Sequence, residues 1–228
     1  MSKYHPESFF DLSTFQHKQI FNQCENVWEA LSLIPNYLEQ SSLGKIEVEI
    51  PEGVYLVQPE LITIEKGTVI EPTAYIKGPC WIGKNCSIRH GAYIRGNVIT
   101  GDGCVIGHAS EVKNSIFLNK AHAAHFAYVG DSILGNHINL GAGTKCANLK
   151  LDNQSVAIWD GGQKIDSGLR KFGAIIGDRS QIGCNAVTNP GTLLGKGSTC
   201  YPCVNIGGFI EEGRIVKDRN QIISSKGS

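Results

Sequence analysis

The chain has 228 residues, of which 41% are hydrophobic and 18% charged, the usage of an ordinary globular protein of one domain with at most a small appendage. Its 21 basic and 21 acidic residues cancel, which argues against a protein built mainly to bind nucleic-acid phosphates. No run is long and apolar enough to cross a bilayer and the amino terminus lacks a signal-peptide core, so a cytoplasmic protein is the default expectation.

Residues 8 to 40 carry Phe9, Phe10, Phe15, Phe21, Trp28, Leu31, Ile34 and Leu38 at roughly helical spacing. Two short amphipathic helices are expected, split near Asn22 to Glu25, with Ser13 or Thr14 as a cap and Pro35 ending or kinking the second. Together with the residues around them they form a helical cap over 1–45, covering the open end or a side of the remaining chain. A membrane-surface role is weakened by Glu25, Glu29 and Glu39.

From Ile64 the chain repeats every six residues: IEKGTV, IEPTAY, IKGPCW, IGKNCS, IRHGAY, and onward to LGAGTK at Leu140. Eleven of the fourteen unit starts are Ile, Val or Leu, and the fifth position is usually small, as at Ala74, Cys80, Cys86, Ala92 and Cys104. Six fits neither a helix nor plain alternation, but positions one and five lie an even number apart, so short strands can turn both inward. Gly, Asn and Asp between them supply corners. Three sides close a triangular coil of about eighteen residues, and stacked coils make a parallel β-helix. The expected organisation is an all-β solenoid over 46–215, an inserted loop at about 145–174 where the repeat lapses, and a polar tail over 216–228. A long excursion of this kind is usually a lid or binding loop.

The eight cysteines suit small apolar filler inside so narrow a prism, and the lone Cys200-Tyr-Pro-Cys203 pair lacks a second pair of zinc ligands. The repeat phase places His90, His108 and His125 at third positions of units one coil apart, a column on one corner, with Arg89 beside it and Lys113 on the adjoining side. A lone exposed histidine at such a corner ordinarily does nothing. From Lys164 onward nine Lys/Arg outnumber five Asp/Glu, a balance suited to the phosphates of a nucleotide cofactor, or simply to a solvated surface.

The run Lys113-Asn-Ser-Ile through His125-Phe-Ala-Tyr128-Val-Gly-Asp-Ser, followed by Asn139-Leu-Gly-Ala-Gly-Thr, resembles the hexapeptide-repeat acyltransferases. It is most similar to the acetyltransferase half of the bifunctional glucosamine-1-phosphate acetyltransferase/N-acetylglucosamine-1-phosphate uridylyltransferases and of archaeal sugar-1-phosphate nucleotidylyltransferase/acetyltransferases. The resemblance implies a left-handed parallel β-helix, a homotrimer, acetyl-CoA as co-substrate and an amino-sugar 1-phosphate as acceptor, glucosamine 1-phosphate first. It implies His125 as general base and Tyr128 as its partner at the sugar. Arg89 and Lys113 would hold the phosphate, Asn139 and Asn148 would line the sugar and acetyl sites, and Lys171 would reach the phosphate from the loop. Oxyanion donors are expected from the backbone near Gly141 to Gly143 or around Cys184. A histidine titrating near neutrality suits removal of a proton from an ammonium group, and no covalent intermediate is needed. The chain departs from the bacterial enzymes at Leu149 and Cys184, and the archaeal loop lysines have no clear counterpart near Gln154 and Ala157. With about sixty residues before the coils, the nucleotidyl-transfer half is expected to be absent.

Two other readings compete. One is a solenoid that binds sugar phosphates or nucleotides without turnover. The other is a γ-carbonic-anhydrase-like zinc hydratase using His108, His122, His125 and His137 between subunits.

Overall fold

The six-residue repeat builds three parallel sheets, which form the sides of a β-solenoid of about nine turns in this computed structural model; residues 2–218 and 221–224 are described. One sheet has eight strands, from Tyr55–Val57 to Asn205–Ile206, and carries tyrosines on its outer surface. A second, on the side of the N-terminal segment, has eight strands from Ile62–Ile64 to Phe209–Ile210. The third has nine, from Val69–Ile70 to Gln221–Ser224.

Register follows the repeat: Ile76 pairs with Ile94, Ile94 with Val112 and Val112 with Val129, one coil at a time. Every first position from Ile64 to Leu140 is buried, and so are the small fifth positions such as Ala74, Cys80, Cys86 and Cys104. The one polar unit start, Thr100, is buried too, its hydroxyl accepting a hydrogen bond from the Gly83 N–H at 3.0 Å. Burial pushes the thiols of Cys80 and Cys200 up to about 12, which makes them inert filler.

The N-terminal segment covers a side of the solenoid. It comprises helix α1 (Pro6–Phe9), two 3-10 turns (Lys18–Phe21 and Val27–Glu29) and helix α2 (Ala30–Glu39). Its aromatic residues pack on Ile99, Ile116, Ile133, Ile175 and Leu193, the outward residues of the second sheet. That sheet is therefore buried on both faces, and each enclosed Phe contributes on the order of 2–3 kcal/mol.

Pro35 lies inside α2 and does not end it. A proline there leaves the carbonyl of Leu31 without its helical partner, and the Asn114 side-chain amide donates to that oxygen at 3.5 Å. A second anchor is the buried Asp178, whose carboxylate accepts from the N–H groups of Asp11 and Asn136, both at 2.7 Å.

The excursion leaves the coil after Ala147 and rejoins it at Gly173, since Lys145–Cys146 still pairs with the strands on either side. It contains an antiparallel hairpin, Ala157–Asp160 with Gln163–Asp166. The last coil runs past Ile215: Val216 is buried, and Gln221–Ser224 folds back against Arg214–Asp218. The polar tail expected over 216–228 is thus strand at 216–218 and 221–224, and 219–220 and 225–228 lie outside the described residues. Among the described residues no helix is long and apolar enough to cross a membrane.

His17 is buried among Phe15, Tyr37 and Trp81, with its Nδ1 3.0 Å from the Tyr37 hydroxyl and its Nε2 unpartnered. Burial lowers its pKa to about 4. The unfolded chain, with an ordinary histidine pKa near 6.5, takes up the proton first, so stability is full above pH 6.5 and falls as the pH drops toward 4. Between pH 7 and 5 urea unfolding should register a loss of about 2 kcal/mol from this group, absent in His17→Phe.

Candidate active site

The outer surface of the first sheet carries two columns of side chains set by coil register. One runs Tyr55, Tyr75, Tyr93, Glu111, Tyr128, Lys145; the other includes Lys77, Lys113 and Gly130, with Arg95 between the two lysines. Charges on this surface pair between neighbouring coils. Arg95 bonds Glu111 at 2.6 Å, and the Lys113 ammonium bonds Asp131 at 2.8 Å with both side chains mostly enclosed.

Asp131 is the hub. Buried at a corner, it accepts from Lys113, from the Asn114 amide at 3.0 Å and from the Asn148 amide in a short hydrogen bond. The Tyr128 hydroxyl donates to Asn148 Oδ1 at 3.4 Å. The ring can lie there because Gly130 has no side chain: a Cβ at Gly130 would come within 2.6 Å of the hydroxyl and 2.7 Å of the Asn148 amide. Burial raises the pKa of Tyr128, and the charges of Glu111 and Asp131 reinforce the shift, so the phenol stays protonated and able to donate.

Three residues expected in the site, Lys113, Tyr128 and Asn148, are thus brought together. His125 ends its strand opposite His108 in register and is exposed at the corner, three residues before Tyr128. The histidine column is only partly a stack. The His90 and His108 rings lie parallel at 5.2 Å, but the ring above His108 is Phe126, edge-on at 4.9 Å.

Arg89 is not the coil neighbour of Lys113. Its N–H pairs with the Ile106 carbonyl, at the other end of that side of the prism, whereas Arg95 stands next to Lys113. Asn139 is exposed on the third sheet between His122 and Gln181. Lys171 is exposed at the neck of the excursion, bridged to Leu149. The N–H groups of Gly141 and Gly143 already donate to the carbonyls of Ile182 and His125, so neither is a spare oxyanion donor here. Cys184 is exposed one coil above Gly141, whose Cβ would meet the Cys184 nitrogen at 2.5 Å.

Sequence reasoning missed Arg95, Glu111 and Asp131. Arg95 precedes Lys113 by one coil of eighteen residues, the spacing that lined up His90 and His108, so the signal was present for the cation. The role of Asp131 was hidden because its donors come from the coil before it, Lys113 and Asn114, and the coil after it, Asn148. Among the described residues of one chain, no three or more His, Cys, Asp or Glu converge as metal ligands.

Fold and surface define the class: a hexapeptide-repeat β-solenoid with a polar, coil-registered site on one side. The family model of the GMPPB C-terminal domain matches residues 76–162. The chain is 33% identical over 184 residues to a bifunctional sugar-1-phosphate nucleotidylyltransferase/acetyltransferase of Sulfurisphaera tokodaii, covering 81% of this chain and 44% of that protein. It is 31% identical over 209 residues to the bifunctional protein GlmU of Methanococcus maripaludis, covering 92% and 50%. It spans about half the length of these relatives. Among solved structures, an Arabidopsis UDP-N-acetylglucosamine acyltransferase aligns with a TM-score of 0.41 at 12% identity, over 75% of this chain and 72% of that one. The identity and coverage of the two sequence relatives place the chain in the family of the hexapeptide-repeat acetyltransferase regions of GlmU and of archaeal sugar-1-phosphate nucleotidylyltransferase/acetyltransferases.

Removing one partner of an enclosed ion pair leaves the other charge buried and unpaired. Lys113→Met and Asp131→Asn should each cost about 3 kcal/mol in urea unfolding, and the double variant less than the sum of the two.

Proposed function

We propose that the protein is an acetyl-CoA-dependent N-acetyltransferase acting on an amino-sugar 1-phosphate, with glucosamine 1-phosphate the first candidate. It would work in the cytoplasm as a homotrimer, the thioester entering along a groove between neighbouring subunits. The named activities of the relatives support acetyl transfer to a sugar phosphate. The observation that carries the reading is an exposed His125 beside the enclosed Tyr128–Asn148–Asp131–Lys113 cluster. The exposed Tyr55, Val69, Tyr93 and Phe126 supply apolar surface for lateral association.

In this reading His125 takes a proton from the substrate ammonium, and the free amine attacks the thioester carbonyl. The tetrahedral oxyanion needs a donor, and with the Gly141 and Gly143 amides engaged, the backbone around Cys184 is the nearest candidate. The nitrogen, cationic after attack, loses its second proton to solvent; collapse then breaks the C–S bond, and the protonated His125 returns its proton to the thiolate, so that one proton is released per turnover. Tyr128 and Asn148 orient the sugar, held in place by Asp131. Arg89, Asn139 and Lys171 stay on the substrate side only if a neighbouring subunit or a moving loop brings them in. Lys113 reaches a phosphate only by exchanging or sharing its bond to Asp131.

That last requirement favours a second reading, a solenoid that binds sugar phosphates without turnover. One assay separates the two: thiol release from acetyl-CoA with glucosamine 1-phosphate, galactosamine 1-phosphate and UDP-amino sugars. Turnover with a 1-phosphate, reduced at least about 100-fold in His125→Ala with the fold intact, is the expected result. Tight binding with no CoA released would establish the silent module, and an unaffected His125→Ala would remove the mechanism.

A further inference from the structure

Six of the eight cysteines are buried, and the two that are exposed, Cys184 and Cys203, share one corner of the solenoid. That corner is the one that carries His125. Backbone bonds climb it coil by coil: the Gly143 N–H donates to the His125 carbonyl, the Asn185 N–H to Ala142 and the Cys203 N–H to Cys184, the last at 2.8 Å. Cys184 therefore stands in the column of His125 two coils on, roughly 10 Å away, with the small Ala142 between them. Covalent geometry on either side of the bond between Cys203 and Cys184 keeps their Cα atoms within about 6.7 Å of each other. A disulfide spans Cα separations of about 4.4–6.8 Å.

The backbone at Cys203 is unusual for its residue type. Its φ is +59°, in the left-handed region that favours glycine and asparagine, and the two places below it in the same corner are Asn185 and Gly143. A cysteine there carries a backbone cost that asparagine or glycine would reduce. Pro202, whose ring fixes its own φ, stiffens the turn just before it. The sequence neighbour Cys200 offers no partner. It points into the prism, 2% exposed, where burial pushes its thiol up to about 12. The fold thus divides the Cys200-Tyr-Pro-Cys203 motif, one thiol inside and one outside, and the neighbour of the outer thiol lies on the previous coil.

We propose that Cys184 and Cys203 are a thiol modification site, at which a small disulfide such as oxidised glutathione closes a reversible clip between two successive coils. One protein thiolate attacks a sulfur of the small disulfide, forming a mixed disulfide and releasing one small thiolate. The other protein thiolate attacks the protein sulfur of that mixed disulfide and expels the second. Two protein thiols are oxidised, one small disulfide is reduced to two thiols, and the protons of the protein thiols pass to the departing thiolates. A compartment kept reduced by small thiols opens the clip again, so it senses oxidation rather than holding the fold together. Its effect on acetyl transfer rests on the reading above: the clip ties down Cys184, whose backbone is the candidate oxyanion donor, on the corner of His125.

The full chain, reduced and desalted, should be incubated with oxidised glutathione, with Cys184→Ser, Cys203→Ser and Cys200→Ala alongside. Trypsin cuts after Lys196, so Cys184 and Cys203 fall on separate peptides that a clip joins, and mass mapping reads the link directly. Joined peptides are expected in the wild type, from a chain that runs as a monomer on a non-reducing denaturing gel, and should separate with dithiothreitol. They should persist in Cys200→Ala and be missing from Cys184→Ser and Cys203→Ser. A link through Cys200, a link between chains, glutathione adducts that never resolve, or no reaction would each overturn the site. Closing the clip should slow acetyl transfer about tenfold or more, the loss tracking the clipped fraction and reversing on reduction. A clipped protein that transfers at the reduced protein's rate would remove the regulatory role. No transfer by the reduced protein would sink the enzyme reading and leave the clip standing; transfer without a clip would do the reverse.

Discussion

Everything in this molecule depends on how little room a three-sided coil leaves inside. Each side turns one large and one small residue inward, and only that combination lets successive coils meet at hydrogen-bonding distance. Once the ladder is set, every outward residue has a fixed neighbour one coil above and one below. The polar surface is thereby ordered without any local motif: Arg95 meets Glu111, Lys113 meets Asp131 and His90 meets His108 because the interior has fixed the register.

A buried carboxylate does different work at two corners. Asp178 binds the N-terminal segment to the coils through backbone N–H groups, a structural clasp. Asp131 gathers a lysine and an amide from the coil before it and an amide from the coil after it, and through the latter steadies a tyrosine. Enclosing a charge is costly unless it is fully bonded, so both carboxylates make their surroundings rigid. At Asp131 that rigidity falls on residues proposed to touch substrate.

The solenoid was legible in the sequence because its period is short and its inward positions are nearly uniform. The N-terminal segment was legible as apolar and partly helical, covering an end or a side; the choice of the side depends on Ile99, Ile116 and Ile133 facing outward in strands whose pattern resembles any other coil. Pro35 does not end its helix, and the carbonyl it leaves unpaired is met by Asn114, about eighty residues away in the chain. Tyr128, Asn148 and Lys113 are named by a resemblance and do converge, whereas Arg89, expected beside the histidine column and with Lys113 at the phosphate, lies at the other end of that side of the prism from Lys113. The approach of Cys184 to Cys203 was masked by the nearer Cys200, which the fold buries inside the prism. The hairpin of Ala157–Asp160 and Gln163–Asp166 was invisible, being part of an insertion with no repeat to phase it.

That insertion begins and ends at one point: the Asn148 carbonyl accepts from the Phe172 N–H at 2.9 Å, and the coil closes on either side as though nothing intervened. Because the two ends touch, the segment between them can lengthen, shorten or be exchanged at a modest entropic penalty and with no shift in pairing. The scaffold is therefore a natural socket, in which an insertion can be exchanged while the corner that carries His125 and Tyr128 keeps its register.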